Sequence, residues 1–180
     1  MKFIKYFLLL LISCISTLLL ISFFSKKEYT VTREVTINLP KNEVFDYVKL
    51  LKNQDNFSVW AKMDPAMKIT YTGVDGTVGF VSRWESQKDE VGTGEQEIKG
   101  ISENERIDYE LRFIKPFESV SSAYISTDMI SENQTRVTWS FNGKMQVPFN
   151  LFLLFMDFEE QIGNDLQQGL NNLKEMLESR

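Results

Sequence analysis

An α+β domain, in which an antiparallel sheet wraps around one long C-terminal helix behind a single hydrophobic N-terminal helix, is the fold class the sequence predicts. Three observations lead to it. Phe155, Phe158, Ile162, Leu166, Leu170, Leu173 and Leu177 recur at three- and four-residue steps within Pro148–Glu178, with Glu159, Asn164, Asp165, Gln168, Asn172 and Glu175 between them, the pattern of a one-sided helix that must lie on something. Upstream, stretches rich in Val, Ile, Tyr, Phe and Trp alternate with period two, as half-buried strands do. Before them, Phe3–Phe24 is an almost unbroken apolar run.

That run is flanked by Lys2 and Lys5 on one side and Lys26 and Lys27 on the other. As a helix it spans roughly 33 Å, enough for a hydrocarbon core of about 30 Å. The division expected is therefore an anchor over residues 1–27 and one domain over 28–180, on a single-pass protein of a bacterial-type inner membrane. A cleaved signal peptide is the rival, but its apolar region is usually about 7 to 15 residues and ends at small residues, whereas this one ends in Phe23-Phe24. Processing at Cys14 after Leu11-Ile12-Ser13 would leave another apolar stretch at the new N-terminus. Both flanks are basic, so the positive-inside rule gives no clean asymmetry. The very short N-terminal tail favours a cytoplasmic N-terminus with the domain on the extracytoplasmic side.

Composition narrows the chemistry. At 180 residues and 43% hydrophobic composition the chain suits one anchored domain. Its net charge is −5, with 25 acidic against 20 basic residues, and an acidic domain does not match a nucleic-acid backbone. Histidine is absent and Cys14 is the sole cysteine. Ser/His and Cys/His nucleophile systems, His-ligated metals and thiolate zinc are thereby excluded from the domain, and no metal or cofactor is expected.

The remaining elements follow in order. Val31, Arg33, Val35 and Ile37 alternate with Thr30, Thr32, Glu34 and Thr36 in a first strand over Tyr29–Leu39. Pro40 opens a helix that puts Val44, Phe45, Val48 and Leu51 on one face, and Asn53–Trp60 forms a second short helix or turn. Six strands follow: one with Met67, Ile69 and Tyr71 inward; one with Val78, Phe80, Ser82 and Trp84; one with Gly94, Gln96 and Ile98; one with Ile107, Tyr109, Leu111 and Phe113; a long strand over Ser119–Ile130 with Ala123, Ile125, Thr127 and Met129; and Thr135–Phe141. VDGT, VGTG, ENER and SENQ supply turns between them.

This order, with REVTINLPKNEVFDYV, WAKMDPAMKITYTG, GTGEQEI, TRVTWSFNGKM and GLNNLKEMLE, resembles the START-like (SRPBCC) superfamily, often labelled polyketide cyclase/dehydrase, across Tyr29–Arg180. The resemblance implies a helix-grip: a curved seven-stranded antiparallel sheet folded around the C-terminal helix, with an apolar pocket between. Members include lipid carriers, hormone receptors and cyclases. The polar pocket groups with which cyclase members orient a polyketide have no match here.

The candidate cavity lining is Trp60, Tyr71, Trp84, Gln96, Tyr109 and Trp139, with Phe155, Phe158 and Ile162 from the helix. The aromatics offer an apolar body with one polar handle, although packing against the helix is the plainer role for each. Gln96 falls on the Gly94/Ile98 face, and a buried amide needs a partner, here Tyr109, Ser82 or a water. Ser82 and Thr127 are weaker candidates of the same kind. Gly163 and Gly169 interrupt a helix at a cost, the first permitting a bend and the second a close approach to the sheet. Asp157, Glu159 and Glu160 suit the positive end of a helix dipole better than an acid/base pair. No catalytic constellation is assigned. The expected function is a membrane-tethered, non-catalytic binding module for a lipid-like or polycyclic molecule. The alternatives are a cyclase/dehydratase-like enzyme, or an interaction module with a filled cavity that meets a partner through its outer sheet face or the Pro116-Phe117 loop.

Overall fold

The computed structural model describes residues 2–179. A helix α1 (Lys2–Phe24) precedes strand β1 (Glu28–Ile37), and three short helices follow: α2 (Lys41–Val48), α3 (Gln54–Phe57) and α4 (Val59–Met63). Then come β2 (Lys68–Thr72), β3 (Val81–Glu85), β4 (Thr93–Ser102), β5 (Arg106–Lys115), β6 (Ser119–Ser131), β7 (Gln134–Lys144) and α5 (Phe158–Glu178). The seven strands form one antiparallel sheet in the order β1-β7-β6-β5-β4-β3-β2. Every sequential pair from β2 to β7 is thus a neighbour, and β1 closes the far edge by pairing with β7. Register irregularities between β4 and β5, at Thr93/Gly94 and Ile98/Gly100, each add a residue on one strand, the kind of insertion that increases local twist. This is the helix-grip fold.

The period-two alternation sorts the faces. Outward go Arg83, Glu95, Glu97, Glu110 and Arg112, tied in one network: Arg112 reaches Glu97 at 2.7 Å, Glu110 at 2.6 Å and Glu95 at 3.0 Å, and Arg83 reaches Glu95 at 2.9 Å. Inward go Val31, Ile98, Ile107, Tyr109, Ala123, Ile125, Val137 and Trp139, all buried. Leu166, Leu170, Leu173 and Leu177 of α5 complete this core, each at most 4% exposed. Val44, Phe45 and Val48 of α2 and Phe57 of α3 are buried with them. At its C-terminal end α5 is tied to β1: Lys174 donates to the Thr36 carbonyl at 2.8 Å, and the Asn38 N–H donates to Glu178 at 2.7 Å.

Three expectations need correction. The terminal helix does not run from Pro148; Phe149–Leu154 is a 3-10 turn and α5 begins at Phe158. The break comes from Asp157, whose carboxylate accepts the Glu160 N–H at 2.8 Å and caps the new helix. Met129 stays in register with Ala123, Ile125 and Thr127 but is 67% exposed, because it lies near the end of β6, beyond the covered part of that face. Gly163 lies inside a continuous helix and serves a contact instead of a bend: a Cβ there would come within 2.0 Å of the Arg33 guanidinium. Gly169 does permit close approach, with the Trp139 ring 2.9 Å from where its Cβ would be.

Candidate functional site

Register converts the concave face into rows that cross the sheet. One row runs Ile107, Ile125, Trp139, Arg33, and the next Ile98, Tyr109, Ala123, Phe141, Val31. A third joins Tyr71, Ser82, Gln96, Leu111 and Ser121, with the Gly143–Tyr29 pair on β7 and β1 at the same level, and a fourth joins Ile69, Trp84, Gly94 and Phe113. The first two rows are almost wholly buried. In the last two, Ser82, Trp84, Gln96, Leu111 and Phe113 remain half-exposed although they point inward. Tyr29 is the second residue of β1, so the open rows lie at the end of the sheet nearest α1.

The predicted residues separate accordingly. Trp84 packs its ring against Gly94, whose missing side chain leaves room for it, meets Phe113 edge-on at 5.9 Å and donates its indole N–H to the Val91 carbonyl at 3.3 Å. Gln96 is half-buried and donates to the Gln54 side chain at 3.0 Å; its partner comes from α3, not from the sheet neighbours or water expected. Trp60 on α4 stands edge-on to Trp139 at 6.0 Å and beside Asp165 of α5, whose carboxyl is pushed up by burial while the Trp60 indole holds it down. Tyr71, at the sheet edge, donates its hydroxyl to Asp55. Burial, the Asp55 hydrogen bond and the nearby Asp55 and Asp75 charges push that phenol up. The Asp55 carboxyl is itself raised, by burial first and by Asp75 second, against the Tyr71 hydrogen bond.

Tyr109 and Trp139 are core residues, 2% and 3% exposed, and not lining. Trp139 is gripped by Phe57, Trp60 and Gly169, which fill the space under the C-terminal half of α5. Of the lining expected on the sheet, Tyr109 and Trp139 therefore belong to the core, and the space beside the helix lies at its beginning, where Phe155, Phe158 and Ile162 were expected. Phe155 lies off the helix and is 84% exposed, because the chain turns at Asp157 before the helical face is established. Phe158 stacks on Tyr29 at 6.3 Å, and Ile162 packs at the margin of the core. A hollow of about 360 Å³ lies here between the end of α1 and the start of α5, walled by Lys26, Tyr29, Leu153–Asp157, Phe158 and Glu159. Small-molecule sites begin at about 300 Å³. The Lys26–Glu159 ion pair, at 2.8 Å, stands at it.

A model of the family described as polyketide cyclase/dehydrase and lipid transport matches residues 28–178. The chain belongs to this family. No curated protein sequence matches it. Solved structures with the same helix-grip fold include a norcoclaurine synthase point mutant of Thalictrum flavum in complex with a transition-state analogue, at TM-score 0.62 and 8% identity, covering 85% of this chain and 96% of that one. A Mesorhizobium loti protein aligns at TM-score 0.59 and 14% identity over 84% and 98%, and Ara h 8.0201 at 0.56 and 15% over 85% and 99%. At these identities the likeness is one of fold. The fold of this family binds hydrophobic ligands.

Sequence reasoning missed four contributors. Gln54 and Asp55 reach the site only because the 3-10 turn Leu51–Asn53 redirects the chain into α3, and no periodicity marks them. Asp165 sits next to the apolar stripe and was legible only as a gap-filler. Arg33 carried a usable signal: it alternates in phase with Val31, Val35 and Ile37, and it does point inward, donating to the Thr32 carbonyl at 2.9 Å with its guanidinium against Gly163.

Proposed function

We propose that this family member is a membrane-tethered binding module for an apolar small molecule, lipid-like or polycyclic, held without chemical conversion between the membrane-proximal rows of the sheet and the start of α5. The observation that carries this reading is the half-exposed inward surface of Ser82, Trp84, Gln96, Leu111 and Phe113. Inward sheet residues of a filled domain are covered, and here those five, on β3, β4 and β5 in the last two rows, are covered only in part, while Ser121, Gly143 and Tyr29 at the same level are buried. Transfer of each methylene to such a surface contributes about 0.8 kcal/mol, so ten supply roughly 8 kcal/mol before association costs. The Gln54–Gln96 amide pair, at 3.0 Å, would orient one polar group of the guest. Helix α1 is long and apolar enough to cross a membrane; as a tether it keeps the opening beside the phase where such ligands concentrate.

The anchor is residues 1–27, with the domain on the extracytoplasmic side. Native mass spectrometry of residues 28–180 purified without detergent tests the binding function: a co-purifying apolar mass is expected. Its absence, together with no thermal shift across a lipid and polyketide panel, would leave an interaction module. One observation favours an enzyme instead. The Asp55–Tyr71 pair joins a carboxyl and a phenol at the edge of the site, groups able to exchange a proton with a substrate. A bound mass that changes during incubation would favour that reading.

A further inference from the structure

We infer that the exposed apolar rim formed by the 3-10 turn Phe149–Leu154, its continuation Phe155–Met156 and the Phe117 loop is a membrane-inserting surface, occupied by the same bilayer that α1 enters. This rests on reading α1 as the membrane tether. The argument begins with Asn150. It is fully buried in a turn whose Phe149, Phe152 and Leu154 are exposed, and its side chain is spent on the end of α1: the Ser22 hydroxyl donates to its Oδ1, and its Nδ2 donates to the Ser22 carbonyl at 2.7 Å, with the Lys26 and Ser25 carbonyls at 3.3 and 3.4 Å. The last carbonyls of a helix lack partners within it, and in a lipid environment they must find them in protein. Asn150 supplies a donor to the Ser22 carbonyl of the last turn, which also accepts the Ser25 N–H at 3.3 Å, and to the Ser25 and Lys26 carbonyls just past the helix, from 124 or more residues away in sequence.

That lock fixes height. A residue bonded to the final turn of a spanning helix sits where the helix leaves the hydrocarbon, and its neighbours sit there too. Those neighbours are Phe149, Phe152, Leu154, Phe155 and Met156, between 49% and 84% exposed. Phe117, 69% exposed, joins them through a ring contact with Phe149 at 5.6 Å. The surface continues that of Phe23 and Phe24, 62% and 82% exposed, across the Asn150 contact. A contiguous exposed apolar patch marks an interaction site, and aromatic side chains with an apolar turn at this level are what an interfacial segment presents. The 360 Å³ hollow is walled by the same Leu154, Phe155 and Met156, so insertion would place its mouth at the acyl boundary.

Spin-label accessibility on the full chain tests this. In a Cys14→Ser background, single cysteines at Phe152, Phe155, Phe24, Ile12 and Met129 are labelled and the protein is reconstituted into phosphatidylcholine vesicles. Collision with lipid-soluble oxygen is then compared with collision with a water-soluble nickel chelate. The expected result is an oxygen-dominated ratio at 152 and 155, of the sign and similar size seen at Phe24, with the chelate dominating at Met129. Chelate-dominated labels at 152 and 155 with oxygen-dominated labels at Ile12 would overturn the rim and leave the tether standing. Protection of 152 and 155 from both reagents would also overturn it, by assigning the patch to a protein neighbour. A chelate-accessible Ile12 would remove the tether itself.

Discussion

The two ends of one concave face behave differently. At the end away from α1, the rows through Trp139 and Tyr109 are closed over by Leu166, Leu170, Leu173 and Leu177, and Gly169 lets the helix settle onto the Trp139 ring. At the end beside α1, inward side chains of the rows through Gln96 and Trp84 stay only half-buried. The same strands build both, so alternation alone cannot produce the difference. It comes from what lies above: a continuous helical stripe over one end, and over the other an interrupted chain where Asp157 stops the 3-10 turn and starts α5 anew. Packing is concentrated at the first end, and incompletely covered inward side chains at the second.

The comparison is broken most severely by Leu166→Asp. Leu166 is 1% exposed in the closed end, and an unpaired carboxylate there should cost more than about 4 kcal/mol, enough to unfold a domain of ordinary stability. Far-UV circular dichroism and urea titration check this; a folded variant would mean the buried stripe has been misassigned. Gly169→Ala comes next. Its Cβ would lie 2.9 Å from a Trp139 ring held by Phe57 and Trp60, an overpacking expected to cost about 1 to 3 kcal/mol, read as a lowered urea midpoint.

Gln96→Leu sharpens the contrast from the open end. It strips Gln54 of its amide partner, but both side chains are half-buried and water can replace the bond. Stability should change by less than about 1 kcal/mol while selectivity across an apolar ligand panel shifts. A large stability loss would make Gln96 a core group and close the second end as well.

Asp55→Asn gives a smaller effect that depends on pH. Burial raises the Asp55 carboxyl above its ordinary value of 3.8, so its ionised form is disfavoured in the fold and native stability falls as pH rises through the carboxylate range. Asparagine removes that penalty and still accepts the Tyr71 hydroxyl. The variant should therefore gain on the parent in urea titrations at pH 7 and lose that gain near pH 3.5; an equal difference at both would mean the carboxyl is not perturbed.

Much of this was legible in the chain. Strand alternation placed the rows, because a half-buried sheet must put every second side chain inward, and the Leu166–Leu177 stripe located the closed end. The open end was not legible for a physical reason. Openness is a property of the covering layer, and that layer depends on a single side-chain cap at Asp157 and on the turn that brings Gln54 and Asp55 over the sheet. Phe155 illustrates the failure: its spacing fits the helical stripe, yet α5 starts only after it, at Phe158.

Gly163→Ala is the finest discrimination. It is the same substitution as Gly169→Ala, six residues earlier in the same helix, and its Cβ would approach even closer, to 2.0 Å. The atom it meets, however, is Nη2 of Arg33, the free end of a flexible side chain on a half-buried residue, where Gly169 meets a ring wedged between two other aromatics. Arg33 can swing aside by remaking its bond to the Thr32 carbonyl, and the helix recovers up to about 1 kcal/mol from replacing glycine with alanine. The net expectation is a urea midpoint unchanged or slightly raised. Equal losses at 163 and 169 would show the helix equally constrained at both ends, and with that the distinction between a sealed half and an accessible half would fail.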